Sequence, residues 1–293
     1  MPELPEVETI RRQLAPEVVG RTIQRAEVLD ERWSRPEPPR AVEAALAGRR
    51  IEELGRRGKY LVMSLDDGSA LVMHLRMTGN LLLRQARTAV FGDDPERRYL
   101  RARLILDDGH EVWFTDARRF GQGVVLEGDA IDEYFTTRLG VEPLEGELTA
   151  ETLCELAAGR RAPLKSFLLN QARVAGIGNI YADEALWRAR LHPLSPAGSM
   201  KPEHCEALRV GIIEALEAGL THGGSSIDDY RDARGAQGSM QDEFLVHTRE
   251  GEECLRGDGT IRRIVVGGRS TYFCPGCQKR LRARPRRRKR AKA

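Results

Sequence analysis

Apolar residues recur at three- and four-residue steps in Val7, Ile10, Leu14 and Val18, and Gly20 follows, which predicts an amphipathic helix over 5–19. After that helix the period changes. Thr22 to Leu29, Ile51 to Leu54, Tyr60 to Leu65, Ala70 to Met77, Leu100 to Leu106, His110 to Phe114 and Gly123 to Glu127 are short and β-prone. They are separated by turn signals such as Asp66-Asp67-Gly68 and Asp107-Asp108-Gly109. Short strands punctuated in this way predict a sandwich or barrel. Ala41 to Ala47 reads as a short helix and Arg84 to Glu96 as a loose loop. Around Thr149 the pattern becomes helical, with helices expected over 149–158, 163–174, 180–188 and 202–221 and Gly223-Gly224 closing the last. Gly235 to Gly238 reads as a flexible loop, and Ile261 to Phe273 as a β-hairpin turning at Gly267-Gly268. In the strand ending at Met77, parity puts Leu71, Met73, Leu75 and Met77 on one face, so the alternation alone assigns Met77 to the core; His74 and Arg76 fall on the other face, suited to phosphate contact.

Composition narrows the class. A chain of 293 residues can bury two or three cores, and its 29 glycines and 5% aromatics suit mixed strands, turns and helices. No apolar run approaches the roughly eighteen residues of a membrane span, and the acid-rich start lacks the basic and apolar regions of a signal peptide, so a cytoplasmic protein is expected. The net charge of +3 is misleading: without the nine Lys and Arg of Arg280 to Ala293, 38 basic residues face 44 acidic ones, a body near −6. Bulk charge therefore does not argue for a nucleic-acid partner, and a DNA-binding face must come from local placement. The tail itself reads as a solvated arm with nonspecific phosphate affinity. Of five cysteines, Cys154 and Cys205 lie in helical sequence and read as ordinary buried thiols, whereas Cys254, Cys274 and Cys277 cluster near the C-terminus in a way that suggests metal.

Chemistry is concentrated at the N-terminus. The small residue Pro2 leaves Met1 open to removal, which exposes a secondary amine flanked by Glu3 and Glu6. An α-amino group titrates near 7.7–8.0, so an unprotonated, nucleophilic fraction exists at neutral pH. The same residues also make a helix start, with a proline and acids in the first turn.

Met1-Pro2-Glu3-Leu4-Pro5-Glu6-Val7-Glu8-Thr9-Ile10 resembles the start of the formamidopyrimidine-DNA glycosylases, bifunctional base-excision repair enzymes, and further motifs of that family follow in order up to residue 277. The resemblance implies an α+β multidomain fold: an N-terminal catalytic β-sandwich with flanking helices over 1–142, a helical helix-two-turn-helix domain with a lesion-capping loop over 143–240, and a zinc-finger-like β-hairpin over 241–279, followed by the basic tail 280–293. DNA is expected in the cleft between these parts. Pro2 becomes the nucleophile, Glu3 assists proton transfer, Glu6 supports the site, and Lys59 of Gly58-Lys59-Tyr60 stands at the active site or on the phosphate beside the lesion. His74 contacts phosphate, while Met77 fills the space left by an extruded base. Arg118 and Phe120, in Asp116-Ala117-Arg118-Arg119-Phe120-Gly121, read the orphaned partner base, normally cytosine, and wedge between base pairs. Lys165 and Asn179 become phosphate ligands at a Gly176-Ile177-Gly178-Asn179 turn, and Arg269 another at the hairpin tip. Ser225, Ser226 and Tyr230 belong to the lesion-capping segment.

One position departs from the family. Where Cys-x2-Cys, sixteen residues, Cys-x2-Cys is the zinc pattern, Gly257 replaces the second cysteine; Cys254, Cys274 and Cys277 remain, with Asp258, a displaced His247 or water as candidates for the fourth position. The implied activity is removal of oxidised purines, 8-oxoguanine and formamidopyrimidines, from double-stranded DNA by a monomer associated with the nucleoid, through a Schiff base and β,δ-elimination. The Leu4-Pro5 start favours this branch over the one acting on oxidised pyrimidines. A non-catalytic binder of damaged DNA is the reading from another class.

Overall fold

A computed structural model of the chain describes residues 1–85, 94–227 and 229–282. Most of the expected loop between Arg84 and Glu96 and nearly all of the basic tail lie outside the described residues. The chain forms two compact units, Met1–Gly140 with Leu216–Glu243, and Val141–Ala215 with the chain from Phe244 onward. Among the described residues no helix is long and apolar enough to cross a membrane.

The first unit opens with helix α1 (Leu4–Val18), whose stripe Val7, Ile10, Leu14 and Val18 is fully buried. Strand β1 (Ile23–Val28), short helix α2 (Glu31–Ser34) and helix α3 (Pro39–Leu46) follow. Then come β2 (Ile51–Arg57), β3 (Tyr60–Leu65), β4 (Ser69–His74), β5 (Gly79–Gln85), β6 (Leu100–Leu106), β7 (His110–Asp116), β8 (Gln122–Glu127) and helix α4 (Asp129–Thr136). The strands form two four-stranded antiparallel sheets, ordered β1-β6-β7-β5 and β2-β3-β4-β8. Alternation decides which side chains meet between them: Leu61, Met63, Leu71 and Met73 from one sheet and Leu81, Leu104, Val112 and Phe114 from the other join the α1 stripe in one core. Gly123 has no room for a side chain, since a Cβ there would run into the Trp33 ring. Trp33 in turn meets Phe114 edge-on at 5.5 Å.

Several elements escape the periodicity reading, helices α2 and α4 among them. Strand β5 carries Leu81 and Leu82 buried in succession, so it shows no alternation to read. The expected strand Ala70–Met77 stops at His74, and Met77 sits half-buried in the turn leading to β5; strand parity therefore ceases to govern it. A side chain on Gly79 would collide with the Leu75 carbonyl, which explains the glycine after that turn.

The second unit contains α5 (Ala150–Ala157), α6 (Leu164–Leu168), α7 (Asn179–Arg188) and most of α8 (Pro202–Thr221), together with the hairpin β9 (Arg262–Val266) and β10 (Arg269–Phe273). The helix expected over 163–174 ends at Leu168, and the chain then turns through Gly176, at φ +82°, into α7. Gly267 and Gly268, at φ +58° and +76°, make the two-residue turn that a right-twisted hairpin favours. Cys154 and Cys205 are joined as a disulfide, which corrects their reading as free thiols: their Cα atoms, on α5 and α8, stand 5.7 Å apart, within bridging range.

Candidate functional site

In the first unit the candidate residues are built around the start of α1. Glu3 is the N-cap and Glu6 the third helical residue, whose carboxylate Oε2 accepts the Glu3 backbone N–H at 2.8 Å. Pro2, Glu3 and Glu6 are all buried. Glu6 Oε1 accepts the backbone N–H of Ser225 at 2.7 Å, and the Glu6 carbonyl accepts the Tyr230 hydroxyl at 3.3 Å. Ser225 and Tyr230 are thus both held against the first turn of α1. Gly224, at φ +84°, lets the chain pass there, since a Cβ would press on the Glu6 side chain. Burial and the charge of Glu6 push the Tyr230 hydroxyl far above its usual range, so it stays protonated and acts as a donor. Ser226 Oγ donates to the Tyr230 carbonyl at 3.0 Å and accepts the Gly238 N–H at 3.0 Å. Asp232 accepts the N–H groups of Arg234 and Ala236, so the Gly235–Gly238 segment, expected to be flexible, is a hydrogen-bonded turn. The Ser225 hydroxyl is buried without a hydrogen-bond partner among the described residues.

Lys59 follows Gly58, at φ +55°, in the β2–β3 turn and is buried. Arg56 fixes that turn to α1: its Nη1 donates to the Gly58 carbonyl at 3.1 Å and its Nε to Glu8 at 3.2 Å. Burial opposes charge on Glu8, but hydrogen bonds from Arg11 and Arg12, with the charges of Arg11 and Arg56, hold its carboxyl down to about 2. His74 behaves differently. Burial, followed by the charges of Arg76 and Lys59, pushes its imidazole down to about 3, and Nδ1 accepts the Arg76 backbone N–H at 2.9 Å. The ring is therefore neutral at physiological pH, with its proton on Nε2.

Beyond β7 the loop 117–121 presents Arg118 exposed and Phe120 52% exposed, with the Arg118 guanidinium 5.0 Å from the Phe120 ring centre.

In the second unit, Lys165 is fully buried, its ammonium 2.6 Å from Asp183 and 2.7 Å from the Asn179 carbonyl. Both groups belong to α7, so Lys165 ties α6 to α7 with its ammonium fully buried, away from the surface where the expected phosphate contact would lie. Asp183 also faces His247 Nδ1 at 2.8 Å. The Asn179 side-chain NH2 donates to the Ser270 carbonyl at 3.0 Å, linking α7 to β10. Arg269 is exposed at the hairpin tip.

The sulfurs of Cys254, Cys274 and Cys277 lie within 4.8 Å of one another, all three residues buried. Three converging soft donors fit zinc. Neither His247, engaged by Asp183, nor Asp258 joins this cluster, so neither is in place as the fourth donor. Gly257, at φ +70°, has open space where a Cβ would stand. Trp187 Nε1 donates to Cys254 Sγ at 3.3 Å, and Arg256 stacks on the Trp187 ring at 3.6 Å with Nη1 3.6 Å from Cys277 Sγ. Asp116, Asp183 and Arg256 went unassigned in the sequence because no periodicity marks a group whose partners are loop amides or distant side chains.

Three family models match the chain: the formamidopyrimidine-DNA glycosylase N-terminal domain over residues 1–123, the formamidopyrimidine-DNA glycosylase H2TH domain over 139–231, and the zinc finger found in FPG and IleRS over 251–280. The formamidopyrimidine-DNA glycosylase of Chloroflexus aurantiacus is 46% identical over 280 residues, covering 95% of this chain and 98% of the relative. That of a Roseiflexus species is 44% identical over 286 residues, covering 95% and 100%. Among solved structures, Lactococcus lactis Fpg with an abasic site containing DNA superposes with a TM-score of 0.85 at 34% identity, and a variant of it with a Fapy-dG containing DNA with 0.86 at 35%; each covers 95% of this chain and 100% of the other.

Proposed function

The chain belongs to the formamidopyrimidine-DNA glycosylase family, and on that premise we infer that Pro2 is the nucleophile with which it removes oxidised bases. The activity is that of a DNA glycosylase and abasic-site lyase in base excision repair, acting on damaged double-stranded DNA. The observation that carries the assignment is the buried start of α1, where Pro2 and Glu3 precede a carboxylate that also holds the lesion loop.

After loss of Met1, the lone pair of the Pro2 nitrogen forms the bond to C1′ of the extruded nucleotide. The bond to the damaged base breaks, and its electron pair leaves with the base. Glu3 assists protonation of the sugar oxygen as the ring opens, which leaves an iminium between nitrogen and C1′. That cation acidifies the neighbouring carbon: loss of the C2′ proton expels the 3′ phosphate, and a second elimination expels the 5′ phosphate. Lys59 is assigned to proton transfer or to the phosphate beside the lesion, Asn179, Arg269 and neutral His74 to phosphates. Met77 and Phe120 fill and wedge the stack, while Arg118 reads the partner base, with cytosine preferred. Ser225 and Ser226 face the lesion side with buried Tyr230 anchoring the segment behind them, and the Ser225 hydroxyl, without a partner among the described residues, supports that placement. The lesion class is oxidised purines, and one copy of the chain acts alone, in the cytoplasm on the nucleoid. Cys254, Cys274 and Cys277 hold zinc, which when bound supplies structure to the hairpin and takes no part in the reaction.

Borohydride reduction of the iminium on an 8-oxoguanine:cytosine duplex is expected to give a covalent complex with the mature chain. An N-terminal tag should abolish it and leave DNA binding intact. A folded, DNA-binding sample that yields no adduct and no cleavage would sink the nucleophile and leave the non-catalytic binder.

A further inference from the structure

Asp116 closes β7 with its carboxylate buried, 1% exposed, and both oxygens serve the two loops that carry the proposed wedge residues. Oδ1 accepts the hydroxyl of Thr78, the residue after Met77, and the backbone N–H of Arg118 at 3.1 Å. Oδ2 accepts the N–H groups of Phe120 at 2.8 Å and Gly121 at 2.6 Å. Thr78 Oγ1 also accepts the Arg118 N–H at 3.1 Å, so one hydroxyl stitches the Met77 turn to the Arg118 loop.

These loops need holding. Arg76 and Arg119 adopt φ +55° and +62°, conformations that a non-glycine residue keeps only where its surroundings impose them. Arg119 is pinned by Asp30, to which its Nη2 donates at 2.9 Å. The carbonyl of Asp116 accepts Arg101 Nε at 2.8 Å, fixing the loop's root. A carboxylate that accepts four donors has little capacity left for acid or base work; its role is geometry.

Resting on the wedge roles given above, we propose that Asp116, acting with Thr78, is the positioning residue that presents Met77, Arg118 and Phe120 as one arrangement formed before DNA arrives. Wedging must offset the loss of stacking when a base leaves the duplex. Loops ordered in advance spare that step the entropy of ordering them. The reading of the opposite base then depends on a residue that touches no base.

The test compares Asp116→Asn, Thr78→Val and Thr78→Ser in the full chain, under single-turnover conditions, on two substrates. One is an 8-oxoguanine:cytosine duplex, the other a duplex with a preformed abasic site, which needs the Pro2 chemistry without extrusion of a paired base. Asp116→Asn and Thr78→Val should lower excision roughly 10- to 100-fold, the scale of an ångström's misplacement, and narrow the preference for cytosine over adenine opposite the lesion. Abasic-site cleavage should hold, and Thr78→Ser should restore excision. Parallel loss on both substrates, or unaltered excision by Thr78→Val, overturns the proposal; Thr78→Val decides the matter if Asp116→Asn fails to fold. Phe120→Ala and Met77→Ala in the same assay separate the two levels of inference. If they impair excision while Asp116→Asn and Thr78→Val do not, only the positioning role falls; if they are silent, the wedge reading falls and takes this proposal with it.

Discussion

Glu6 Oε1 accepts the backbone N–H of Ser225 at 2.7 Å across 219 residues of sequence, while Oε2 of the same carboxylate accepts the N–H of Glu3. One side chain thus sets the position of the residue beside Pro2, the proposed nucleophile, and of the loop proposed to meet the lesion. Glu6→Ala leaves two buried N–H groups without this acceptor, and each such group costs about 1–3 kcal/mol. Chemical denaturation should show a loss of that order, and lesion excision should fall more than cleavage of a preformed abasic site. An unchanged midpoint would show that the carboxylate holds neither partner.

Acid stability should carry the signature of Glu8. Its folded-state value of about 2 lies below the ordinary carboxylate value of 4.5, so the unfolded chain binds more protons between those limits. Stability from this group is complete above about pH 4.5 and is lost as pH falls toward 2. Glu8→Gln should cost about 2–3 kcal/mol at pH 7 and flatten the dependence of unfolding free energy on pH over that interval; a variant with an unaltered acid limb would contradict the pairing with Arg11, Arg12 and Arg56.

Salt dependence should distinguish two proposed phosphate contacts. His74 is neutral, so His74→Gln should weaken DNA binding without changing the slope of log K against log salt. Arg269→Ala should reduce that slope by about one. A slope change for His74→Gln at pH 7.5 would mean that the imidazole is charged in the complex.

Gly257 offers a direct test of the three-cysteine metal site. A Cβ there would meet nothing within 4 Å among the described residues, although its φ of +70° strains any residue other than glycine. Gly257→Cys should hold zinc longer against a chelator, at about 1–3 kcal/mol in folding stability of the metal-free chain. Equal zinc release from both proteins would show that the added thiolate does not reach the metal, and negligible zinc in wild type and Cys254→Ser alike would exclude the site.

Elements with a clean period were legible in the sequence. The α1 stripe and the hairpin with its Gly267-Gly268 turn need only local rules, and the structure contains both. Strand β5 was not legible, because Leu81 and Leu82 are buried in succession. Lys165 was misplaced for a different reason: the resemblance supplies a role without the lysine's surroundings, and only the three-dimensional arrangement shows Asp183 beside it, eighteen residues away. The same limit applies to Asp116, whose neighbours Arg118 and Phe120 draw attention by their chemistry while the carboxylate's partners are mostly backbone amides.

The Cys154–Cys205 bond makes the intervening chain a covalent ring. A protease that cuts once between those residues leaves a nicked molecule that still migrates as one species on a denaturing gel, and only a reductant releases two fragments. The ring also limits the unfolded chain, on the scale of about 4 kcal/mol for a loop of this length. Reductant alone is then expected to lower the unfolding transition of the unit that holds the bond, by loosening α5 from the start of α8.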